Sequence, residues 1–352
     1  MKSRLLIGID IGTSATKTAL YDECGTRLAV HTAEYPLYQP QNGWAEQEPE
    51  DWWQATLAGI CAVLSASHCD PRDIVGIGLS GQMHGLVMLN EQGQVLRRSI
   101  IWCDGRTSEE CEDITRLVGA ERLMDITKSP ALTGFTASKI LWVRKHEPEI
   151  YNKCRHILLP KDYIRYRLTD VFATDASDAS GMQLLDIAKR DWSDEVLTAL
   201  DIDRALLADV YESCQVTGHI TPEIAKLTGL DEQTIVVGGA GDNAAAAVGC
   251  GAVRDGRGLP PSAPAALYSA IASSFAPIPT VAFIPSVPPC RVNTTSWASR
   301  SRQAYLCVGS GINSLPSSKS RQVNGTSTFT LAWMRSPPTF PLARIACCSC
   351  PI

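Results

Sequence analysis

The sequence of 352 residues is long enough for about two domains of ordinary size. Hydrophobic residues make up 45% and charged residues 20%, as in a globular protein that buries a core, and no long apolar run predicts a membrane span. All 37 acidic residues and 24 of the 32 basic residues lie at or before Asp255, so this part carries a net charge of −13. An acidic main body argues against nucleic acid as a partner.

The N-terminal segment MKSRLLIGIDIGTS has a basic start followed by an apolar patch. Asp10 interrupts this patch within a few residues, so we expect no signal peptide and a cytoplasmic location. The 13 cysteines are scattered, which favours reduced thiols over a disulfide framework. Their cluster in the tail (Cys347, Cys348 and Cys350) has no histidine or acid near it to complete a metal site.

The predicted elements begin with strands. LLIGIDIGTSATKTAL, from Leu5, predicts a buried strand, a Gly-Thr-Ser turn and a second strand, and YDECG is a turn that leads to a third strand, RLAVHTAEYPL. EQEPEDWWQATLAGICAVLSA predicts a helix, because acids occupy its first turn and apolar residues recur at spacings of three and four residues.

The rest of the chain up to residue 257 alternates strands and helices. DIVGIGLSGQMHGLVMLN predicts two strands broken by the turn SGQMHG, and RRSIIWCDGRTSEECEDITRLVG predicts a strand, a turn and a helix. GFTASKILWVRKHEPEIYNKC is helical, HILLPKDYIRYRLTD is a strand with a helix, and TIVVGGAGDNAAAAVGCGAV repeats strand, glycine turn and helix. This order predicts an α/β domain with a mixed sheet.

Two glycine turns, each with one acid, are the first functional signal. In IDIGTSATK, small residues let backbone amides approach phosphate, Thr13 and Ser14 add hydroxyls, and Lys17 adds a charge. Asp10, at the strand end, could hold a magnesium ion, since hard cations prefer carboxylate oxygen. The alternative is an ordinary hairpin turn. In the second turn Asp242 could act as a base toward an alcohol that attacks the γ-phosphate of ATP, or could merely cap the following alanine-rich helix.

The turn SGQMHG places Met83 and His84 between two glycines. A neutral histidine both donates and accepts hydrogen bonds, so His84 could contact a sugar, although a surface histidine on a hairpin is the alternative. For Trp44 and Trp102 we expect burial in the core.

Together these motifs resemble the FGGY family of carbohydrate kinases from about residue 5 to about residue 257. In GFTASKILWVRKH, Lys139 and Trp142 have the spacing of the family's first signature. Several long motifs agree in order: GIDIGTSATK, PQNGWAEQEPEDWW, LSGQMHG, IWCDGR, GFTASKILWVRKHEPEI, LLPKDYIRYRLTD, TDASDASG, DIAKRDWS and GGAGDNAAAAVG.

The resemblance implies an actin-like/hexokinase-like (ribonuclease H-like) duplicated fold, with an N-terminal domain over 1–235 and the start of a C-terminal domain over 236–257. It implies ATP and Mg²⁺ as cofactors and a ketose sugar as substrate, with no nucleic acid or membrane partner, and it allows for a homodimer of the full-length family member. The QMH and GDN turns resemble those of members that phosphorylate D-xylulose more than those of glycerol kinases; ribulose and gluconate are further alternatives.

The same resemblance implies residue roles. Asp242 is the catalytic base, and the sugar contacts are Met83, His84, Asp242 and Asn243. The magnesium and phosphate side consists of Asp10, Gly12, Thr13, Ser14 and Lys17, with Asp10 at the metal.

The resemblance ends at residue 258. A family member would continue with a second phosphate turn of the type IGTSG and later a glycine-rich adenosine motif, and neither is found in 258–352. This segment follows the last acid, Asp255, and the part of the chain after that acid holds 13 of the 21 prolines. A disordered Ser/Pro-rich linker is one explanation, but runs such as VAFI are too apolar for typical disorder.

An out-of-frame reading explains this tail better. Back-translated and regrouped from the third base of each codon, GLPPSAPAALYS can become ASTIGTSGSVF, which restores the missing phosphate turn. In the same phase TVAFIPSV can become GRVHTFC, and RIACCSCPI can become NRLLFLPY. We therefore expect a single-nucleotide insertion or deletion near Arg257 or Gly258, no native domain in 258–352, and little or no kinase activity. A non-catalytic sugar-binding remnant is the alternative.

Overall fold

A computed structural model describes residues 4–251 of the chain, together with the backbone of 258–259, 269–272 and 304–305. The expectation about the tail otherwise lies outside the described residues. The strands are β1 Leu5–Ile11, β2 Ala15–Asp22, β3 Arg27–Glu34, β4 Glu46–Gln47, β5 Ile74–Gly81, β6 Val87–Leu89, β7 Ser99–Ile100, β8 His156–Leu158, β9 Ala173–Asp175, β10 Leu185–Asp186, β11 Asp191–Trp192, β12 Asp209–Tyr211, β13 Val216–His219, β14 Ile235–Val237, β15 Ala240–Gly241, β16 Gly258–Leu259, β17 Ser269–Ala272 and β18 Ala304–Tyr305.

The α-helices are α1 Pro49–Ser67, α2 Ser108–Val118, α3 Ala120–Thr127, α4 Thr136–His146, α5 Pro148–Lys153, α6 Pro160–Thr169, α7 Ala176–Ala179, α8 Asp194–Leu200, α9 Pro222–Thr228 and α10 Asp242–Gly249. Short 3₁₀ turns cover Pro71–Asp73, Ser180–Met182 and Arg204–Leu206. None of the helices in the described part of the chain has the length and apolar character needed to cross a bilayer.

A seven-stranded sheet with the order β13-β14-β5-β1-β2-β3 is the centre of the fold, and β15 adds to β5. Strands β1, β2 and β3 are antiparallel hairpin neighbours, whereas β1, β14 and β15 each run parallel to β5. The predicted three opening strands and the mixed sheet are therefore confirmed. Because β1, β5 and β15 are parallel, their carboxyl ends meet at one edge of the sheet.

The sequence of α1 explains where this helix begins, which face it packs on the sheet and where it ends. Pro49 occupies the first helical turn with Glu50 and Asp51, where proline needs no hydrogen bond and acids favour the helix dipole. Its buried face includes Trp52 and Ile60, which join the core between the sheet, α6 and α9. The helix ends at His68, which adopts a left-handed conformation.

A second core lies among the shorter helices. Buried side chains of α2, α3, α4 and α8 pack with those of β6, β8 and the 176–185 segment. The segment GFTASKILWVRKHEPEIYNKC was expected to be helical, and it forms two helices because Pro148 restarts the chain at the first position of α5. The sheet thus carries the acidic turns, and the helical core supports the QMH turn against it.

Candidate active site

The parallel strands bring the two acidic turns together. Asp10 of β1 lies in register with Ser80 of β5, and Ala240 of β15 lies in register with the same Ser80 from the other side. Asp242 follows β15 at once. The Ser80 hydroxyl donates a hydrogen bond of 3.0 Å to Asp10 Oδ1. Two carboxylates thus approach each other at the carboxyl edge of the sheet, where α/β folds place their ligands.

Burial raises the pKa of both carboxyl groups. For Asp242 the pKa rises to about 7, chiefly by desolvation and secondarily because Asp10 is a like charge, while the Asn243 N–H at 2.6 Å from Oδ1 opposes the shift. Gly241 is the N-cap of α10, and Asp242 is its first helical residue and accepts the adjacent Asn243 N–H, so Asp242 does not occupy the capping position that the alternative requires. A carboxylate with a pKa near neutrality is suited to take a proton at physiological pH.

The Gly-Thr-Ser turn is held by bonds from three surrounding segments. Gly12 N donates to Ala15 O at 3.0 Å, and Gly12 O accepts from the Tyr35 hydroxyl at 2.5 Å. Gln47 Nε2 donates to Thr13 O at 2.6 Å. Lys17 faces Asp10 across the β1–β2 pair, and its charge lowers the Asp10 pKa, although desolvation outweighs this effect. Ser14 is exposed at the tip of the turn.

The QMH turn is buried and strained. Met83 and His84 are 4% and 9% exposed, so the surface-hairpin alternative for His84 is wrong. His84 has a φ of +68°, which is uncommon for a residue with a side chain. Lys139 Nζ at 2.7 Å and Thr136 Oγ1 at 3.1 Å both donate to the His84 carbonyl, so the fold holds this conformation in place.

The contacts of the His84 ring define its protonation state. Its Nδ1 lies 2.7 Å from Gly181 O, and a carbonyl oxygen can only accept a hydrogen bond. Burial lowers the pKa of His84 to about 4, so the ring is neutral at physiological pH. The proton must then reside on Nδ1, which leaves Nε2 as the acceptor. His84 can therefore accept a hydrogen bond from a hydroxyl but cannot donate one through Nε2.

The QMH turn touches the Asp242 turn directly. A Cβ placed on Gly241 would lie 2.9 Å from Met83 Cγ, so only glycine allows this approach. Asn243 Nδ2 lies 3.9 Å from Met83 Sδ. The structure thus brings Met83, Asp242 and Asn243 together, while the Gly-Thr-Ser turn lies along the adjoining strand end.

Several residues at this site were missed or misjudged from sequence. Trp102 was expected in the core, but it is 42% exposed, and its indole N–H donates to Thr13 Oγ1 at 2.8 Å. The prediction was wrong because the preceding Ile100 and Ile101 fill the core and the chain then turns outward. Trp44 is partly buried, with its ring 5.4 Å from that of Trp142.

A glutamine pair was also missed. Gln82 Nε2 donates to Gln47 Oε1 at 2.7 Å and lies 3.2 Å from Gly12 O, so it links the QMH turn to the Gly-Thr-Ser turn. Its place next to Met83 was the only signal in the sequence. The Asp10 carboxylate, oriented by the Ser80 hydroxyl, is the kind of oxygen ligand that Mg²⁺ prefers.

The sheet order and the paired carboxylates define the N-terminal lobe of an actin-like/hexokinase-like protein. Residues 5–249 match the N-terminal domain of the FGGY family of carbohydrate kinases. The chain belongs to this family.

Named relatives and solved structures agree with this family assignment. The chain is 44% identical over 256 residues to a xylulose kinase of Bacillus subtilis, covering 73% of this chain and 51% of that protein. A solved "xyloylose kinase" of Brucella ovis superposes with a TM-score of 0.77 at 32% identity, covering 86% of this chain and 60% of that one. A gluconate kinase of Lactobacillus acidophilus superposes with a TM-score of 0.77 at 25% identity over 87% and 59%. The chain spans about half the length of the curated relatives that it matches.

Proposed function

We propose that residues 5–249 are the sugar-binding lobe of an ATP-dependent kinase that converts D-xylulose to D-xylulose 5-phosphate in pentose catabolism. The observation that carries the proposal is the partly buried Asp242, with a pKa of about 7, in contact range of the QMH turn. Two relatives that are 44% and 43% identical to the chain are named xylulose kinases, which supports the choice of sugar.

The proposed mechanism assigns one task to each side chain. The Asp242 carboxylate takes the proton from the sugar hydroxyl as the hydroxyl oxygen bonds to the γ-phosphorus of ATP, and the bond from that phosphorus to the β-phosphate oxygen breaks to release ADP. His84 Nε2 accepts a hydrogen bond from a second sugar hydroxyl, and Asn243 offers its amide. Met83 packs its apolar side chain against the carbon skeleton. The neutral ring of His84 and the raised pKa of Asp242 both follow from exclusion of water.

On the phosphate side, Gly12, Thr13, Ser14 and Lys17 would face the transferred group. Asp10 would hold the magnesium ion, which supplies positive charge against the phosphate oxygens when it is bound. The Ser80 hydroxyl orients the Asp10 carboxylate from the neighbouring strand. This arrangement would orient the nucleophile and the phosphoryl group toward each other at the sheet edge.

Another sugar is the second candidate, because a gluconate kinase superposes as well as the xylulose kinases do. The test is a coupled ADP-release assay on a protein with its reading frame restored, with D-xylulose, D-ribulose, D-gluconate and glycerol as substrates. We expect kcat/KM to be at least about tenfold higher for D-xylulose, a difference of about 1.4 kcal/mol in transition-state binding. A higher value for any other sugar rejects the assignment.

We further propose that 258–352 is an out-of-frame translation, and that 1–235 and 236–257 divide as the first domain and the start of the second. The 352-residue chain should then release little or no ADP with D-xylulose, because the second phosphate turn is missing. Turnover near that of a full-length kinase contradicts this. Resequencing codons 250–262 tests the frame: an intact frame without an overlapping kinase-like frame rejects the explanation.

Two lesser features belong to the same proposal. A cytoplasmic location suits an enzyme that uses ATP and a small sugar, and a homodimer is proposed only for the full-length protein. The rival is a non-catalytic sugar-binding module, and binding of D-xylulose without turnover, in the frame-restored protein as well as in this chain, would support it.

A further inference from the structure

A buried ionic cluster lies beneath the turn that carries Asp242. The cluster consists of five fully buried side chains: Lys161, Asp162, Arg165, Asp175 and Asp178. Lys161 Nζ lies 2.5 Å, 2.7 Å and 3.2 Å from carboxylate oxygens of Asp162, Asp175 and Asp178. Arg165 Nη2 lies 2.7 Å from Asp162. The members come from KDYIR on α6 and from the segment TDASDASG, residues 174–181.

This cluster is not a metal site. Asp162, Asp175 and Asp178 are close enough together to hold a cation, but the Lys161 ammonium already contacts all three. Burial lowers the pKa of Lys161, but the three carboxylates raise it by more, so it lies above its usual value. Burial raises the pKa of Asp178 well above its usual range. The two cations, Lys161 and Arg165, offset the charge of the buried carboxylates within the cluster.

The cluster is bonded to the Asp242 turn at two points. The Ser177 hydroxyl donates to Asp175 Oδ2 at 2.5 Å and accepts from the Gly241 N–H at 3.2 Å. Arg165 Nη1 donates to Gly238 O at 2.5 Å. The segment 238–241, which leads directly into Asp242, is therefore bonded to Arg165 at its first residue and, through the Ser177 hydroxyl, to Asp175 at its last.

The same segment, 174–181, reaches His84 at its other end. Gly181 O is the acceptor that fixes the His84 tautomer. A Cβ on Gly181 would lie 2.6 Å from the His84 ring, so this backbone presses closely against it. One short stretch of chain thus contacts the turn of the proposed base through Ser177 and the proposed sugar-contacting ring through Gly181.

We propose that residues 174–181, anchored by Lys161, are a positioning element that sets the place of Asp242 relative to His84, and that Ser177 is the positioning residue for Asp242. The inference rests on the proposed function of those two residues. A well-packed apolar core would be as stable as this cluster, since buried ion pairs contribute little net stability. Directional bonds from fixed charges, however, hold a backbone at a defined place, which apolar packing does less well.

The test uses the whole chain, one informative variant, one matched control and one rescue variant. Lys161→Met leaves three buried carboxylates without their ammonium and is expected to prevent folding, so the informative variant is Ser177→Ala. Its control is Ser193→Ala, which removes another buried hydroxyl that accepts one backbone N–H, that of Val196 in α8. Thermal melts check that both variants fold. Ser177→Thr, which keeps the hydroxyl, serves as the rescue.

Two readouts follow on the same samples. Hydrogen–deuterium exchange of residues 238–242 should accelerate about tenfold in Ser177→Ala, as expected for loss of one hydrogen bond, and not in Ser193→Ala or Ser177→Thr. Calorimetric affinity for D-xylulose should fall about tenfold in Ser177→Ala alone.

The outcomes separate the two claims. Faster hydrogen–deuterium exchange of 238–242 in Ser177→Ala alone supports the positioning element. If the unmodified chain at the same time does not bind D-xylulose, the proposed function is rejected. Equal exchange in Ser177→Ala and Ser193→Ala overturns the positioning element, whatever the sugar does. Unchanged D-xylulose affinity in Ser177→Ala, with binding by the unmodified chain, also overturns it.

Discussion

Replacing Asp242 by asparagine should stabilise the chain, because the structure holds this acid at an unfavourable place. The pKa of Asp242 is about 7 in the folded chain and 3.8 as its reference value, so folding favours the protonated form. Between those values the folded chain binds more protons than the unfolded chain, and stability therefore falls as the pH rises. Asparagine has the same shape, carries no charge, and can still accept the Asn243 N–H through Oδ1.

The magnitude follows from the shift. About three pKa units at 1.36 kcal/mol each give an upper bound of about 4 kcal/mol for the free energy of unfolding. Asp242 is only partly buried, and solvent screening reduces the figure to about 1–2 kcal/mol. The gain should be near zero below pH 4, grow between pH 4 and 7, and stay constant above pH 7. At pH 8 it corresponds to about 4 °C in Tm.

Thermal melts of wild type and Asp242→Asn at pH 4, 6 and 8 measure this gain. Asp125→Asn is the control, because Asp125 is exposed on α3 and its loss should leave Tm nearly unchanged at each pH. An Asp242→Asn variant that is less stable than wild type at pH 8, or whose gain does not depend on pH, would refute the assignment of a strained carboxylate.

Three further substitutions test the surroundings of the site. Gly181→Ala places a methyl group 2.6 Å from the His84 ring, so affinity for D-xylulose measured by calorimetry should fall at least about tenfold; unchanged affinity rejects the ring placement. Lys139→Met removes both hydrogen bonds from Nζ; the His84 carbonyl keeps the Thr136 hydroxyl as a donor, whereas the Gly134 carbonyl loses its Lys139 donor, so Tm should fall by several degrees, at about 1–3 kcal/mol for that carbonyl. Burial lowers the pKa of Lys139 to about 7, so the folded chain holds that proton less tightly than the unfolded chain. The Tm of wild type should therefore rise relative to that of Lys139→Met between about pH 7 and pH 10. A difference in Tm that does not change with pH argues against the pKa shift. Gly93 has a φ of +71°, and a methyl group at this position would clash with the Tyr166 hydroxyl, so Tm should fall in Gly93→Ala. Its affinity for D-xylulose should stay within about twofold of wild type, and a larger loss would contradict a purely local effect of this turn.

Much of the fold could be predicted because local patterns and global topology agree. Alternation in LLIGIDI and ATKTALYD matches strands with one buried face, and the acids and proline before Trp52 match the start of α1. The similar sequences of the Asp10 and Asp242 turns indicated a functional role for both, and the structure adds that β1 and β15, which lead into them, both pair with β5.

The rest depends on contacts that no local pattern contains. Trp102 resembles a core residue by composition, yet the chain turns it outward toward Thr13, which is distant in sequence. Lys161 and Asp178 are residue types that usually lie on the surface, and they can be buried because they contact each other. The positive φ of His84 likewise has no signal in the local sequence, because the turn is stabilised by Lys139 of α4, which is distant in sequence.

The most direct test of the central claim is calorimetric titration of the 352-residue chain with D-xylulose in the absence of ATP, for wild type and for His84→Ala. The account predicts saturable binding by the wild type and a loss of affinity of at least about tenfold in His84→Ala, because Nε2 is the acceptor for a sugar hydroxyl. The same affinity in both chains, or D-gluconate bound more tightly than D-xylulose by the wild type, would contradict a ketose site at the QMH turn.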